Sequence, residues 1–185
     1  MRRPFAGVHA TDAERSEARP GDDIVAPADV VMDRAFTVPG RPDDVWPWLE
    51  QLGKARGGWY LTRGVERLVP RSRRALRRID PAFLGLAPGE SIPDYGGRHE
   101  TFDVALIERP NVVVYTSRRG RVCLTWSIVL RQAATGGETR ILLRLRMAPI
   151  KRAWLAKSAG ELLDLLTIAG MAAGLRERLE DRKRG

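Results

Sequence analysis

All three tyrosines and three of the five tryptophans of this chain stand where they could build a binding site. Trp46, Trp59, Tyr60, Tyr95, Tyr115 and Trp126 each join an apolar body to one polar tip. Such rings suit a pocket that is apolar and must still orient what it holds. Plain core packing is the competing reading, and it weighs most on Trp46 and Trp126. Tyr60 and Tyr95 lie beside glycines, at expected cavity edges. Glu66 is the candidate acid: a buried carboxylate is either neutralised or paired, and both conditions mark function. A surface pair of Glu66 with Arg63 or Arg67 is its alternative.

Signatures of nucleophilic or metal catalysis do not occur. There is no Gly-x-Ser-x-Gly elbow, no phosphate loop and no His-x-x-x-His pair. His9 and His99 are the two histidines, and His99 reads as a solvated group at a strand end rather than a base. Cys123 is the single cysteine, so neither a disulfide nor a Cys-based zinc site can form within the chain. It reads as a small structural residue. No metal and no cofactor are expected, and a reducing cytoplasm fits best.

Apolar residues make up 43% of the chain, enough for a real core, and charged residues 30%, too many for an integral membrane protein. No apolar run approaches the length of a bilayer span, and nothing apolar follows Arg2 and Arg3 to make a secretory signal. The net charge of +9 is almost all arginine. The run 71–78 is its densest stretch and raises a phosphate, anionic-lipid or nucleic-acid reading. Elsewhere arginine is dispersed, and no aromatic interleaves with the run to stack on bases. Nucleic acid is therefore disfavoured. Nothing in the sequence sets an oligomeric state.

The elements that must position these residues follow from periodicity. Residues 1–33 hold few large apolar groups and read as an extended or partly disordered arm, anchored at Ile24 and Val25. Arg34–Val38 alternates as a strand and ends at Pro39-Gly40. Pro42-Asp43-Asp44 opens a helix to Leu52, with proline in the first turn and acids at the positive end. Trp59–Val69 reads as a second helix, stopped by Pro70. From Glu90 the period becomes two, and five strands follow: 90–93, 99–108, 112–117, 121–132 and 138–147. Ile141, Leu143, Leu145 and Met147 point inward, with Arg140, Arg144 and Arg146 outward. The outer face is expected to be solvated. A long helix over 151–183 closes the chain, with a stripe of Leu155, Leu162, Leu166, Ala169 and Ala173 toward the sheet. On this reading Leu162→Asp would unfold the domain. The architecture is α+β: a curved antiparallel sheet around a long C-terminal helix, two short helices after the first strand, and one domain over 34–183.

Several motifs carry a resemblance. Arg34-Ala35-Phe36-Thr37-Val38 precedes Pro42-Asp43-Asp44-Val45-Trp46-Pro47-Trp48-Leu49, and Gly58-Trp59-Tyr60 and Thr125-Trp126 come later. Over about residues 33–180 the chain resembles the START-like, or helix-grip (SRPBCC), superfamily, which includes polyketide cyclase-like and Bet v 1-like proteins. His9-Ala10-Thr11-Asp12, Pro20-Gly21-Asp22 and the Gly-Trp-Tyr element resemble an actinobacterial-type subgroup. The run 71–78 departs from it by being more basic. The resemblance implies the helix-grip fold and a cavity for a hydrophobic small molecule. It does not imply one activity, because this fold hosts many.

The expected function is binding or carriage of an apolar, lipid-like or polyketide-like molecule, with catalysis left open. The candidate cavity residues are Trp46, Trp59, Tyr60, Glu66, Tyr95, Tyr115, Trp126, Leu162, Leu166 and Ala169. The alternatives are a cyclase, aromatase or dehydratase using the cavity Tyr and Glu residues, and an anionic-surface or nucleic-acid binder using 71–78.

Overall fold

Alternating side chains in the second half of the chain make the sheet. Strand β5, Val122–Gln132, and strand β6, Glu138–Ala148, pair antiparallel along their lengths, Trp126 opposite Leu145 and Leu130 opposite Ile141. The computed structural model describes residues 7–97, 99–134, 136–150 and 153–184, and it describes no side chains for 153–159, 183 and 184. The other strands are β1, Val30–Pro39; β2, Ser91–Pro93; β3, Thr101–Glu108; and β4, Val112–Arg119. They form one antiparallel six-stranded sheet in the order β1-β6-β5-β4-β3-β2. The first strand thus pairs with the last, and β1 and β2 are the edges.

The helices are α1, Asp12–Ser16; α2, Pro42–Glu50; α3, Arg63–Glu66; and α4, Ala153–Arg184. Pro42 and the acids of its first turn begin α2 as expected. The second helix is much shorter than expected: residues 59–62 run irregularly into the four residues of α3. Tertiary contact overrides helical periodicity there. Gly174 of α4 lies so close to the Tyr60–Leu61 backbone that a Cβ would stand 2.5 Å from the Leu61 nitrogen.

The main core lies between the inner sheet face and α4. Phe36, Val38, Val104, Val113, Ile128, Leu130, Ile141 and Leu143 meet Ile168, Met171, Ala172, Leu175 and Leu179. This corrects the expected helix stripe. Leu162 and Leu166 face solvent, Leu162 being 59% exposed. Ala169 packs against the core at its margin, and the side chain of Leu155 lies outside the described ones. In β3 the register with β4 shifts between Val104 and Leu106. Val104 and Ile107 therefore join the main core while Leu106 packs on the outer face.

That outer face is largely covered rather than solvated. Residues 7–29, expected as an extended or partly disordered arm, form a strap across it, and β1 begins at Val30, before the expected boundary at 34. A second apolar cluster of Ala10, Ala35, Val112, Val114, Val129 and Leu142 lies beneath the strap. Gly21 rests on Val114, where a Cβ would come within 2.6 Å, and its φ of +87° suits glycine. Most of the attachment is ionic, which is why apolar patterning does not reveal it. Arg144 reaches Asp22 at 2.7 Å, Asp33 at 2.8 Å and the Arg15 carbonyl at 2.6 Å. Arg140 pairs with Glu14 at 2.8 Å, and Arg19 lies 3.3 Å from Asp33. The three outward arginines of β6 thus find partners in acids and carbonyls of a segment that holds few large apolar residues. At its start the strap runs beside the free edge of β1: His9 bridges Arg34 antiparallel, and Ala35 N–H donates to the Val8 carbonyl at 3.2 Å.

Candidate functional site

Where the sheet end and the first part of the described α4 diverge, they leave a cavity of about 500 Å³. Gly160, Leu163, Asp164, Thr167 and Ile168 wall it from α4, and Met32, Leu124, Trp126, Leu145 and Met147 from the sheet. The segment Asp94–Gly96 closes one side together with Trp59, Phe102 and Arg119. Tyr95 and Leu163 line the cavity and are more than half exposed, so it opens to solvent between the 94–96 segment and α4.

Trp59, Phe102 and Trp126 make one wall, with Tyr115 stacked behind Trp126. Trp126 stacks between Trp59, at 6.2 Å between centroids and 26° between planes, and Tyr115, at 5.9 Å and 29°. Phe102 leans on Trp126 at 5.9 Å, and Tyr95 meets Trp59 edge-on at 6.5 Å. Trp59 is anchored by its indole N–H, which donates to the Thr167 carbonyl at 3.4 Å. Behind this wall a void of about 30 Å³ reaches Tyr115, Leu52 and Ile92. Burial raises the pKa of both the Tyr95 and the Tyr115 hydroxyls, so both stay protonated and neutral.

The polar groups of the cavity are mostly engaged. Arg119 pairs with Asp94 and lies 5.6 Å above the Phe102 ring centre. The Thr167 hydroxyl donates to the Leu163 carbonyl at 2.7 Å. Asp164 stands 2.8 Å from Nε of the buried Arg34, an ion pair without good hydrogen-bond alignment. Burial raises the Asp164 pKa, and Arg34 opposes that rise. Among the described residues, no group of three or more His, Cys, Asp or Glu side chains could hold a metal ion.

Of the ten residues nominated from sequence, Trp59, Tyr95 and Trp126 line the cavity, and Tyr115 lies behind Trp126. The others go elsewhere. Trp46 is buried with its indole N–H on Glu50 at 3.1 Å. Tyr60 is buried beside α2, donating to the Trp48 carbonyl at 2.7 Å and accepting from Gln51 at 3.0 Å. Glu66 is buried and paired, at 2.5 Å with Arg178 and 3.1 Å with Arg77. Its partners are therefore neither Arg63 nor Arg67. Leu162, Leu166 and Ala169 do not line the cavity.

Arg34, Asp94, Arg119 and Asp164 were missed by sequence reasoning. Arg34 carried a readable signal: with Met32, Phe36 and Val38 it occupies the inward register of β1, where an arginine needs an acid. Asp94 and Arg119 come together across the loop after β2 and the end of β4, which spacing does not disclose. The run 71–78 is not one basic surface. Arg77 is paired with Glu66, Glu177 and Asp181, and Arg74 donates to the Val69 and Arg67 carbonyls. Glu50 is a further buried acid, accepting from Gly85 and Leu86 N–H and from Arg109, and so fixing the 84–86 loop.

No family model matches the chain, and no curated protein matches it in sequence. Solved structures do match in shape. A hypothetical protein from Helicobacter pylori is 14% identical over 86% of this chain and 94% of its own, with a TM-score of 0.53. XoxI from Bacillus cereus is 10% identical over 83% and 98%, with a TM-score of 0.53. A point mutant of norcoclaurine synthase from Thalictrum flavum, in complex with a transition-state analogue, is 14% identical over 83% and 96%, with a TM-score of 0.50. Likeness at this identity carries architecture, and together with the curved six-stranded sheet and long C-terminal helix it gives the chain the helix-grip, START-like fold.

Proposed function

We propose that this protein binds and carries an apolar small molecule with a flat or elongated body in the cavity between the sheet and α4. The observation that carries the reading is the cavity itself. It has about 500 Å³ of space and a wall of stacked aromatic rings. That volume falls within the range of small-molecule sites, where apolar walls supply affinity and a few polar groups supply orientation. Asp94 with Arg119, and Asp164 with Arg34, would orient one polar end of the ligand near the opening. The cyclase-type alternative keeps only Tyr95, more than half exposed at the opening, since Tyr60 and Glu66 are buried elsewhere and Tyr115 lies behind Trp126. Carriage without catalysis is therefore the reading preferred here.

The test uses oleate and a polycyclic aromatic alcohol as probes, read by tryptophan fluorescence and by calorimetry. Saturable binding near one molecule per chain is expected. Gly160→Phe fills the cavity from α4: a Cβ at Gly160 meets only the mobile end of Met32, at 3.0 Å. This variant should stay folded and lose both probes. Absence of saturable binding in the wild type, or undiminished binding in a folded Gly160→Phe, would overturn the proposal.

A further inference from the structure

We infer that a second pocket, at the far end of α4 from the apolar cavity, is a binding site for a small organic anion: a phosphate or carboxylate group on a compact apolar body. The pocket encloses about 500 Å³ and is lined by Trp48 of α2, Arg77 and Arg78 of the basic run, and Arg178, Asp181 and Arg182 of α4. Pro47, Ile79 and Leu84 give it an apolar side.

Two donors in this lining lack acceptors. The Trp48 side chain is 2% exposed, and its indole Nε1–H is buried without a partner among the described residues. The Nε–H of Arg77 is in the same condition. Buried donors are nearly always satisfied, so these two lining residues hold donors that an acceptor seated beside them would complete. An anionic oxygen is the strongest acceptor for both an indole and a guanidinium.

The charges around the pocket favour an anion as well. Arg178 is fully engaged: it holds Glu66 at 2.5 Å and the Leu76, Leu61 and Gly174 carbonyls at 2.8, 2.9 and 3.0 Å. The carboxylate of Asp181 is held by Arg63 at 2.7 Å and Arg77 at 3.1 Å, and these hydrogen bonds lower its pKa. It is therefore not a free repulsive charge. Two guanidiniums are left over. Among the described residues, Arg182 has only Asp44, at 3.9 Å and on the surface, and Arg78 has no ion pair. The pocket is also preformed. Gln51, fully buried, donates to the Arg78 carbonyl at 3.2 Å and accepts from Asp80 N–H at 3.0 Å, which fixes the backbone carrying both run arginines. A volume of this size with an apolar side exceeds what a bare inorganic ion would fill.

The experiment follows the five tryptophan indole N–H resonances by two-dimensional NMR, with the Trp48 peak assigned from Trp48→Phe or, if that variant does not fold, by through-bond experiments. The probes are inorganic phosphate, 1-naphthyl phosphate, 1-naphthoate, neutral 1-naphthol and the short-chain lipid dihexanoyl phosphatidic acid. Naphthyl phosphate or naphthoate should shift the Trp48 peak downfield, saturably, at millimolar or lower concentration, and naphthol should not. Replacing both exposed arginines, Arg78→Ser with Arg182→Ser, should weaken this binding about tenfold or more. Gly160→Phe, which fills only the apolar cavity, should leave it unchanged. Preference for the phosphatidic acid would assign the anion to a lipid headgroup, and preference for naphthyl phosphate or naphthoate to a soluble metabolite. The inference is overturned if no anionic probe moves the Trp48 peak, if naphthol moves it equally, or if the folded double variant binds as the wild type does.

Discussion

Leu162 shows how far a single side chain can depart from its periodicity. It sits in the middle of a leucine-rich stretch and yet faces water. Leu162→Asp should therefore change stability by no more than about 0.5 kcal/mol, as surface substitutions do, and leave the melting temperature nearly unmoved. Glu66 behaves oppositely. It looked like a surface or cavity acid and is instead buried against Arg178, whose guanidinium lies 4.6 Å above the Tyr60 ring. Glu66→Gln leaves that buried cation without its carboxylate, and should cost roughly 3–5 kcal/mol in a denaturant titration. Conversely, Arg34 and Asp164 are a charged pair set in apolar surroundings, and the inward register of Arg34 made its half readable in advance. The Asp164 half was not, because its helix face could not be oriented from leucine spacing.

At the scale of elements, the sheet was legible and the helices less so. Strands β3 to β6 were readable to within a few residues because one apolar face enforces a period of two. The bulge in β3 could not be read, since Leu106 and Ile107 are both apolar and either could have faced in. The long helix was found, but its buried face runs through Gly160, Asp164, Ile168, Met171, Leu175 and Arg178, not through Leu162 and Leu166. Small residues there let the backbone come close to the sheet and to residues 60–61, and periodicity of large apolar groups cannot signal that. The same reason hid most of the cavity: its walls combine two glycines, a threonine and paired charges with rings from four separate segments. The strap was misjudged because its attachment is ionic. Deleting residues 7–29 should cost on the order of a few kcal/mol by uncovering Ala35, Val114, Val129 and Leu142, measured by thermal melting. Acid should loosen it as well. Arg140, by hydrogen bonding, lowers the Glu14 carboxyl from its ordinary 4.5 to about 2. A lowered folded-state pKa adds stability above the unfolded value and loses it as pH falls toward the folded one. Strap protection, followed by hydrogen exchange, should therefore decline between pH 4.5 and about 2, and Glu14→Gln should remove that part of the pH dependence.

For the whole molecule, a preformed cavity links ligand and fold through mass action. A probe at about a hundredfold its dissociation constant should stabilise the wild type by about 2.7 kcal/mol. For a chain of this size that is a rise in melting temperature of roughly 5–10 °C, and it should vanish in Gly160→Phe. The +9 charge is likewise a property of the whole. Many of its arginines are bound into ion pairs under the strap and along α4, so much of that charge is met within the fold.

The two rims of the sheet bear on how copies of the chain behave toward one another. One rim, β2, is three residues long and ends in Pro93, too short to recruit a neighbouring strand. The other, β1, is ten residues long and would be an inviting template for polymerisation, but His9 and the Val8 carbonyl already occupy part of it. The segment that read as a partly disordered arm is thus also a stopper against strand-by-strand growth. A strap-less protein should scatter light on standing at concentrations where the intact chain stays clear.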